Sequence, residues 1–189
     1  MNARLPTALR GDTRSCAFVS AGHAAAMAAA AAAAAFGSVA APGSHVLHPG
    51  DVVVADQGDR LGTLLGSCVA VVLTDPRRTV GAMCHIVHAG GSPSGATSHG
   101  EPAFDAMRRG LQRRGIVPAL CEARVYGGGN MFPALVRGRH VGEQNVAWVL
   151  ERLAREGIRV AASDVGGTVY RRVDWTVGPG EPTVRAQPI

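Results

Sequence analysis

The chain of 189 residues is 47% hydrophobic and carries a net charge of +5, with arginine as its only basic side chain of that count and no lysine anywhere. That length suits one core and leaves no room for two large domains, and the hydrophobic content excludes a chain that is disordered throughout. The cysteines, at positions 16, 68, 84 and 121, form neither a CxxC pair nor a regular framework, which suits a reducing compartment and excludes a small disulfide-built module.

Residues 1–43 read as a separate segment. Arg4, Arg10 and Arg14 precede a run from Ala24 to Phe36 that is nearly pure alanine, and Ser38-Val39-Ala40-Ala41-Pro42-Gly43 follows. The layout mimics a signal peptide: a basic start, an apolar middle and small residues after it. The middle, however, holds no leucine, isoleucine or valine, and it is shorter than the roughly 20 apolar residues of a membrane span. The expectation is a low-complexity extension, outside a domain formed by residues 44–189.

Within that domain, residues 52–55 read as a short strand and residues 67–74 as a strand buried on both faces. Asp75-Pro76-Arg77-Arg78 turns the chain into a second strand over 79–87, so that the two form a hairpin. Residues 89–98 hold three glycines, three serines and a proline and read as a loop. A helix over 101–114 follows, with an apolar stripe Phe104-Met107-Leu111. Its arginines, Arg108, Arg109, Arg113 and Arg114, read as a solvated face. A nucleic-acid surface is disfavoured because no stacking aromatics interleave with them. A strand over 121–126, a bend at Gly127-Gly128-Gly129 and a helix over 143–156 ended by Gly157 come next. Strands over 158–162 and 169–177 close the chain. Strands mixed with two main helices imply an α+β fold, a layered sandwich of mixed β-sheet with flanking helices.

The candidate chemistry lies in Leu65-Gly66-Ser67-Cys68-Val69 and Gly81-Ala82-Met83-Cys84-His85. A thiol becomes a nucleophile through a nearby base, and histidine is the usual one. Adjacent strands bring Cys68 and His85 together if the hairpin forms. The competing reading makes Cys68 a small buried hydrophobe. Because alternate side chains of a strand face opposite ways, Cys84 is expected to point away from His85.

These segments resemble the CheD family of chemoreceptor glutamine deamidases. The likeness runs collinearly through His45-Val46-Leu47-His48-Pro49-Gly50-Asp51, Leu65 to Val71 with Asp75-Pro76, Gly81 to His85, Val125 to Phe132, Val141-Gly142-Glu143-Gln144-Asn145-Val146, and Asp164-Val165-Gly166-Gly167 with Arg171. It covers roughly residues 44–180. The resemblance implies a layered αβ architecture similar to that of cytotoxic necrotizing factor-like cysteine deamidases. It implies Cys68 as nucleophile, His85 as base and Thr63 as a catalytic threonine; read without the resemblance, the Thr63 hydroxyl bonds its own turn. Gly66 and Ser67 form the turn that exposes the Cys68 N–H to an oxyanion. It also implies no metal and no cofactor, chemoreceptor cytoplasmic domains as substrate, a CheC-type phosphatase as possible partner, no nucleic acid or membrane insertion, and a cytoplasmic location. An imidazolium beside Cys68 is expected to lower its thiol below the free value of about 8.5.

The chain departs from the family at Cys84 (asparagine there), around His88-Ala89 (Leu-Pro there) and at Ser98-His99 (Arg-Tyr there). These changes bear on substrate preference rather than on the reaction. Two rival readings differ in kind. One is a zinc module drawing on Cys68, Cys84, His85, His88 and His99, disfavoured because no CxxC or HxxxH spacing is present. The other is a chemotaxis regulator that only binds the CheC-type phosphatase. Receptor methylesterase activity is compatible with the same acyl-thioester chemistry.

Deleting residues 1–43 is expected to leave a cooperatively melting domain. Loss of that melting transition on calorimetry would show that the extension belongs to the core.

Overall fold

Strand burial dictates the layering. In the computed structural model, which describes residues 42–135 and 138–189, the strand Val69–Thr74 (β4) is buried at every position, and so is Val80–Ile86 (β5). Full burial of successive residues, whose side chains alternate between faces, requires a cover on both sides of the sheet. Val69, Val71 and Leu73 of β4, with Val80, Ala82, Cys84 and Ile86 of β5, enter one core with Phe104, Met107, Leu111, Val149 and Leu153. Ala70 and Val72, with Met83, enter a second core with Leu61, Leu65, Val173 and Trp175.

The covers follow from these two sets. The first core is closed by two helices, Gly100–Arg113 (α1) and Val141–Arg155 (α2). The second is closed by another sheet. The five-stranded sheet has the order β2-β5-β4-β6-β7, with β2 Val52–Asp56, β6 Glu122–Gly127 and β7 Arg159–Val165. The four-stranded sheet has the order β1-β3-β8-β9, with β1 Ser44–Leu47, β3 Arg60–Leu65, β8 Val169–Thr176 and β9 Thr183–Pro188. The architecture is α+β, a sandwich of two mixed sheets with a helix layer on one outer face. Within the unit Pro42–Ile189, Gly43 already belongs to the fold. Its N–H donates to Asp59 Oδ1 and its carbonyl accepts from Arg60. The alanine-rich stretch of the extension lies outside the described residues.

The expected hairpin of β4 and β5 is present and antiparallel, pairing Ala70 with His85 and Val71 with Cys84. Asp75 shapes its turn by accepting from the N–H groups of Arg77, Thr79 and Val80. The two helices fall within two residues of the expected limits. On α1 the arginine face is solvated, with Arg108 paired to Asp105 and Arg114 to Asp56. The sequence reading missed β1, β3 and β9, and with them the whole second sheet except β8. β1 has four residues, β3 carries a glycine at its centre, and β9 is exposed at nearly every position and ends in proline, so none shows a clean apolar alternation. Thr63, read as a turn residue in the absence of the family likeness, sits inside β3 and faces the inter-sheet core.

Among the described residues no helix is long and apolar enough to cross a membrane. One close approach fixes the sheet spacing. A Cβ on Gly81 would lie 2.3 Å from Trp175 Cη2 and 3.0 Å from Val177 Cγ2, so the indole occupies the space that a side chain on β5 would fill. Gly81→Ala is expected to destabilise the domain by about 1–3 kcal/mol. An unchanged denaturant midpoint would show that Trp175 has room to retreat.

Candidate active site

Cys68 ends the short turn Gly66-Ser67-Cys68 that joins β3 to β4 across the two sheets. The turn is held by its carbonyls. Gly129 N–H donates to Gly66 O at 2.8 Å, Asn145 Nδ2 to Ser67 O at 3.2 Å, and Gly128 N–H to Cys68 O at 2.8 Å. In a planar trans peptide the N–H points opposite to the preceding carbonyl, so the amides of Ser67 and Cys68 are turned away from these partners. Neither donates to a backbone carbonyl among the described residues. The Cys68 side chain is half-buried and packs against the inter-sheet core.

Glycines make this packing possible. Gly127 and Gly128 have φ of 104° and 67°, in the left-handed region that glycine enters without penalty. A Cβ on Gly127 would fall 2.2 Å from Cys68 O. Behind the bend, Gly166 N–H donates to Gly127 O and Asn130 N–H to Gly167 O, each at 2.8 Å. Buried Arg171 on β8 holds that β7–β8 turn, donating Nε to Asp164 Oδ1 at 2.9 Å and Nη1 to Gly166 O at 2.8 Å. The Asp-Val-Gly-Gly…Arg segment therefore supports the bend that supports Cys68.

His85 lies on β5 with its ring in the inter-sheet space, only 3% exposed. Its Nδ1 is 2.8 Å from Thr63 Oγ1, and Thr63 Oγ1 is 2.9 Å from Leu47 O. A hydroxyl has one proton, and a carbonyl only accepts. Thr63 therefore donates to Leu47 and accepts from His85 Nδ1–H, which leaves the lone pair of the neutral ring on Nε2. That Nε2 is buried and has no hydrogen-bond partner. Burial pushes the His85 pKa below its ordinary 6.5, against weaker upward pulls from the Leu47 carbonyl and Asp51.

The structure thus joins Thr63 directly to His85. It places Cys68 on the same face of the sheet, since Ala70, two residues on, pairs with His85. Diagonal neighbours of this kind have Cα atoms about 7–8 Å apart, with side chains in reach of one another. No hydrogen bond joins the thiol to the ring among the described residues. The expectation of a thiol lowered by an imidazolium is corrected here: burial raises the Cys68 pKa and lowers that of His85, so both groups rest neutral.

The zinc reading fails on geometry. Cys84 is in the helix-side core whereas His85 points between the sheets, as the strand alternation predicts, so the two cannot share an ion with the rest of the set. His88 and His99 instead form a bridge at the foot of α1, with ring centroids 5.0 Å apart. Sequence reasoning missed the roles of Leu47 O, Arg171 and above all Asn145. For Asn145 the visible signal was its spacing from Gly142, because residues three apart share a helix face; Leu47 and Arg171 stood in segments of the family likeness.

A family described as CheD chemotactic sensory transduction matches residues 88–186, a span that begins after Thr63, Cys68 and His85. A probable chemoreceptor glutamine deamidase CheD 2 of Albidiferax ferrireducens is 37% identical over 142 residues, which is 71% of this chain and 82% of the relative. A probable chemoreceptor glutamine deamidase CheD of Pseudomonas savastanoi pv. phaseolicola is 35% identical over 150 residues, 76% of this chain and 85% of the relative. A Geobacter sulfurreducens relative with the CheD 2 name is 33% identical over 135 residues, 71% and 84% of the two chains. The chain belongs to the CheD family.

Burial separates the thiols. Cys84 is pushed up to about 12 and Cys121 to about 11, chiefly by desolvation, while Cys68 is the half-exposed member. Iodoacetamide should label Cys68 in the native domain and reach Cys84 and Cys121 only on unfolding. The Cys68 rate should still be rising above pH 9.0, because its pKa is raised from that value. A rate that levels off near neutral pH would restore the thiolate–imidazolium pair.

Proposed function

We propose that this chain hydrolyses the side-chain amide of specific glutamines on chemoreceptor cytoplasmic domains, giving glutamate and ammonia through a Cys68 thioester. The names of its relatives supply the reaction and the substrate class. The observation that carries the mechanism is the buried His85 ring, oriented by Thr63 and with a free Nε2, on the face of the sheet where Cys68 emerges. Receptor cytoplasmic domains as substrate support a cytoplasmic location.

Each step uses groups already described. As Cys68 Sγ attacks the carboxamide carbon, its proton passes to His85 Nε2. The carbonyl π pair moves to oxygen, and the oxyanion meets the outward N–H of Cys68, with that of Ser67 beside it. On collapse the C–N bond breaks, and His85 gives its proton to the departing nitrogen, which leaves as ammonia. Water then loses a proton to Nε2 while its oxygen attacks the thioester. The C–S bond breaks, the proton returns to sulfur, and glutamate is released. Thr63 holds Nδ1–H throughout, so the ring always presents Nε2. A neutral resting pair suits this route, since the thiol is deprotonated only as it attacks. Binding of a CheC-type phosphatase, which the family likeness implies, is a separate property and does not depend on proton transfer.

Receptor cytoplasmic domains incubated with the protein should show Gln→Glu conversion by mass spectrometry and release ammonia. Cys68→Ala and His85→Ala should abolish both. Thr63→Val should cost about 10- to 100-fold in kcat, less than the roughly 10²- to 10⁴-fold that a positioned general base supplies, because the ring itself remains. Because the His85 pKa is lowered and its neutral form is the working one, activity should persist as pH falls to 6.5 and decline only below it. A folded Cys68→Ala protein that still releases ammonia would sink the mechanism, and an inert wild type would sink the assignment.

A further inference from the structure

Asn145 is 1% exposed, and an uncharged amide buried that deeply needs partners for its polar atoms. Its Nδ2 donates to Ser67 O at 3.2 Å and to Val87 O at 2.9 Å, across 78 and 58 residues of sequence. The primary amide carries two N–H donors, and both are spent on carbonyls, so the NH2 end of the side chain is the only one that fits there. Gly142 brings the residue into place, since a Cβ at that position would lie 2.4 Å from Gly128 O. The first turn of α2 thereby lies directly against the glycine bend.

We infer that Asn145 is a positioning residue whose side-chain amide sets the direction in which the Cys68 N–H points. The Ser67 carbonyl and the Cys68 N–H belong to one rigid peptide plane. Whatever holds the carbonyl inward holds the N–H outward, where the oxyanion of the proposed reaction forms. The second bond, to Val87, ties the same amide to the chain two residues beyond His85. One side chain therefore sets both the tilt of the oxyanion donor and the spacing between the nucleophile turn and the base-bearing strand. The kinetic part of this inference rests on the deamidase reading; the structural part does not.

The test compares wild type, Asn145→Ala and Asn145→Asp. The first arm is hydrogen exchange without substrate. The amides of Gly128 and Gly129, which donate to Cys68 O and Gly66 O, should exchange at least about tenfold faster in Asn145→Ala while β4 keeps its protection. The second arm is turnover on receptor domains. A displaced oxyanion donor should lower kcat by about 10²-fold or more, with KM held within about threefold. Iodoacetamide labelling of Cys68, a displacement that builds no oxyanion, should change far less than kcat. In Asn145→Asp a buried carboxyl facing two carbonyls has a raised pKa, so acidification restores one donor and part of kcat, a recovery that a loosened fold would not give. Unchanged exchange at Gly128 and Gly129, an unchanged kcat in a folded Asn145→Ala protein, or kcat falling only in step with labelling would each overturn the inference. If wild type itself releases no ammonia, the deamidase reading fails and the exchange arm alone decides the role of Asn145.

Discussion

Successive carbonyls turned into the protein are the constraint on which the rest of this site depends. Gly66, Ser67 and Cys68 each have the carbonyl bonded, the outer two to the glycine bend and the middle one to α2. A peptide plane pinned by its oxygen exposes its nitrogen. The turn thus presents backbone N–H groups as donors beside a thiol. Such donors cost no reorganisation when charge develops. Everything behind the turn serves to hold it: Gly127 and Gly128 because a Cβ would strike Cys68 O and Val146, Arg171 because it holds the loop on which the bend rests.

The two-sheet sandwich explains the electrostatics. Placing His85 between sheets removes it from water, which disfavours the imidazolium, and the same burial disfavours the thiolate of Cys68. A site that kept these groups ionised at rest would need a charged partner close to each, and among the described residues none is bonded to either. Thr63 offers a neutral alternative. It arrives on β3, donates its hydroxyl hydrogen bond to Leu47 O, and so selects the ring tautomer without adding charge. The second sheet is therefore part of the site rather than a mere cover, because it brings both Thr63 and Leu47 to the imidazole.

Much of the first sheet and the helix layer was legible from local pattern. The apolar run of β4, the Asp-Pro turn, the stripes of α1 and α2 and the opposite facing of Cys84 and His85 all follow from periodicity and turn chemistry. The second sheet was not legible, because short or glycine-interrupted strands and a polar edge strand such as β9 carry weak signals. Its strands are specified by pairing: β1 runs parallel to β3, and β8 lies between β3 and β9.

By itself the sequence determined which residue types the candidate site offers. Cys68 after a glycine-bearing turn and a histidine on the next strand, with Thr63 added by the family likeness, are side chains whose acid–base character is intrinsic. Tertiary structure decided their state and orientation. Which ring nitrogen of His85 is free, whether Cys68 rests as thiol, and which way its N–H points depend on Thr63, on burial and on Asn145, brought together from β3, the inter-sheet core and α2. Proton affinity and peptide orientation are set by the surrounding dielectric and by partners distant in sequence, and those exist only once both sheets and α2 have closed around the turn.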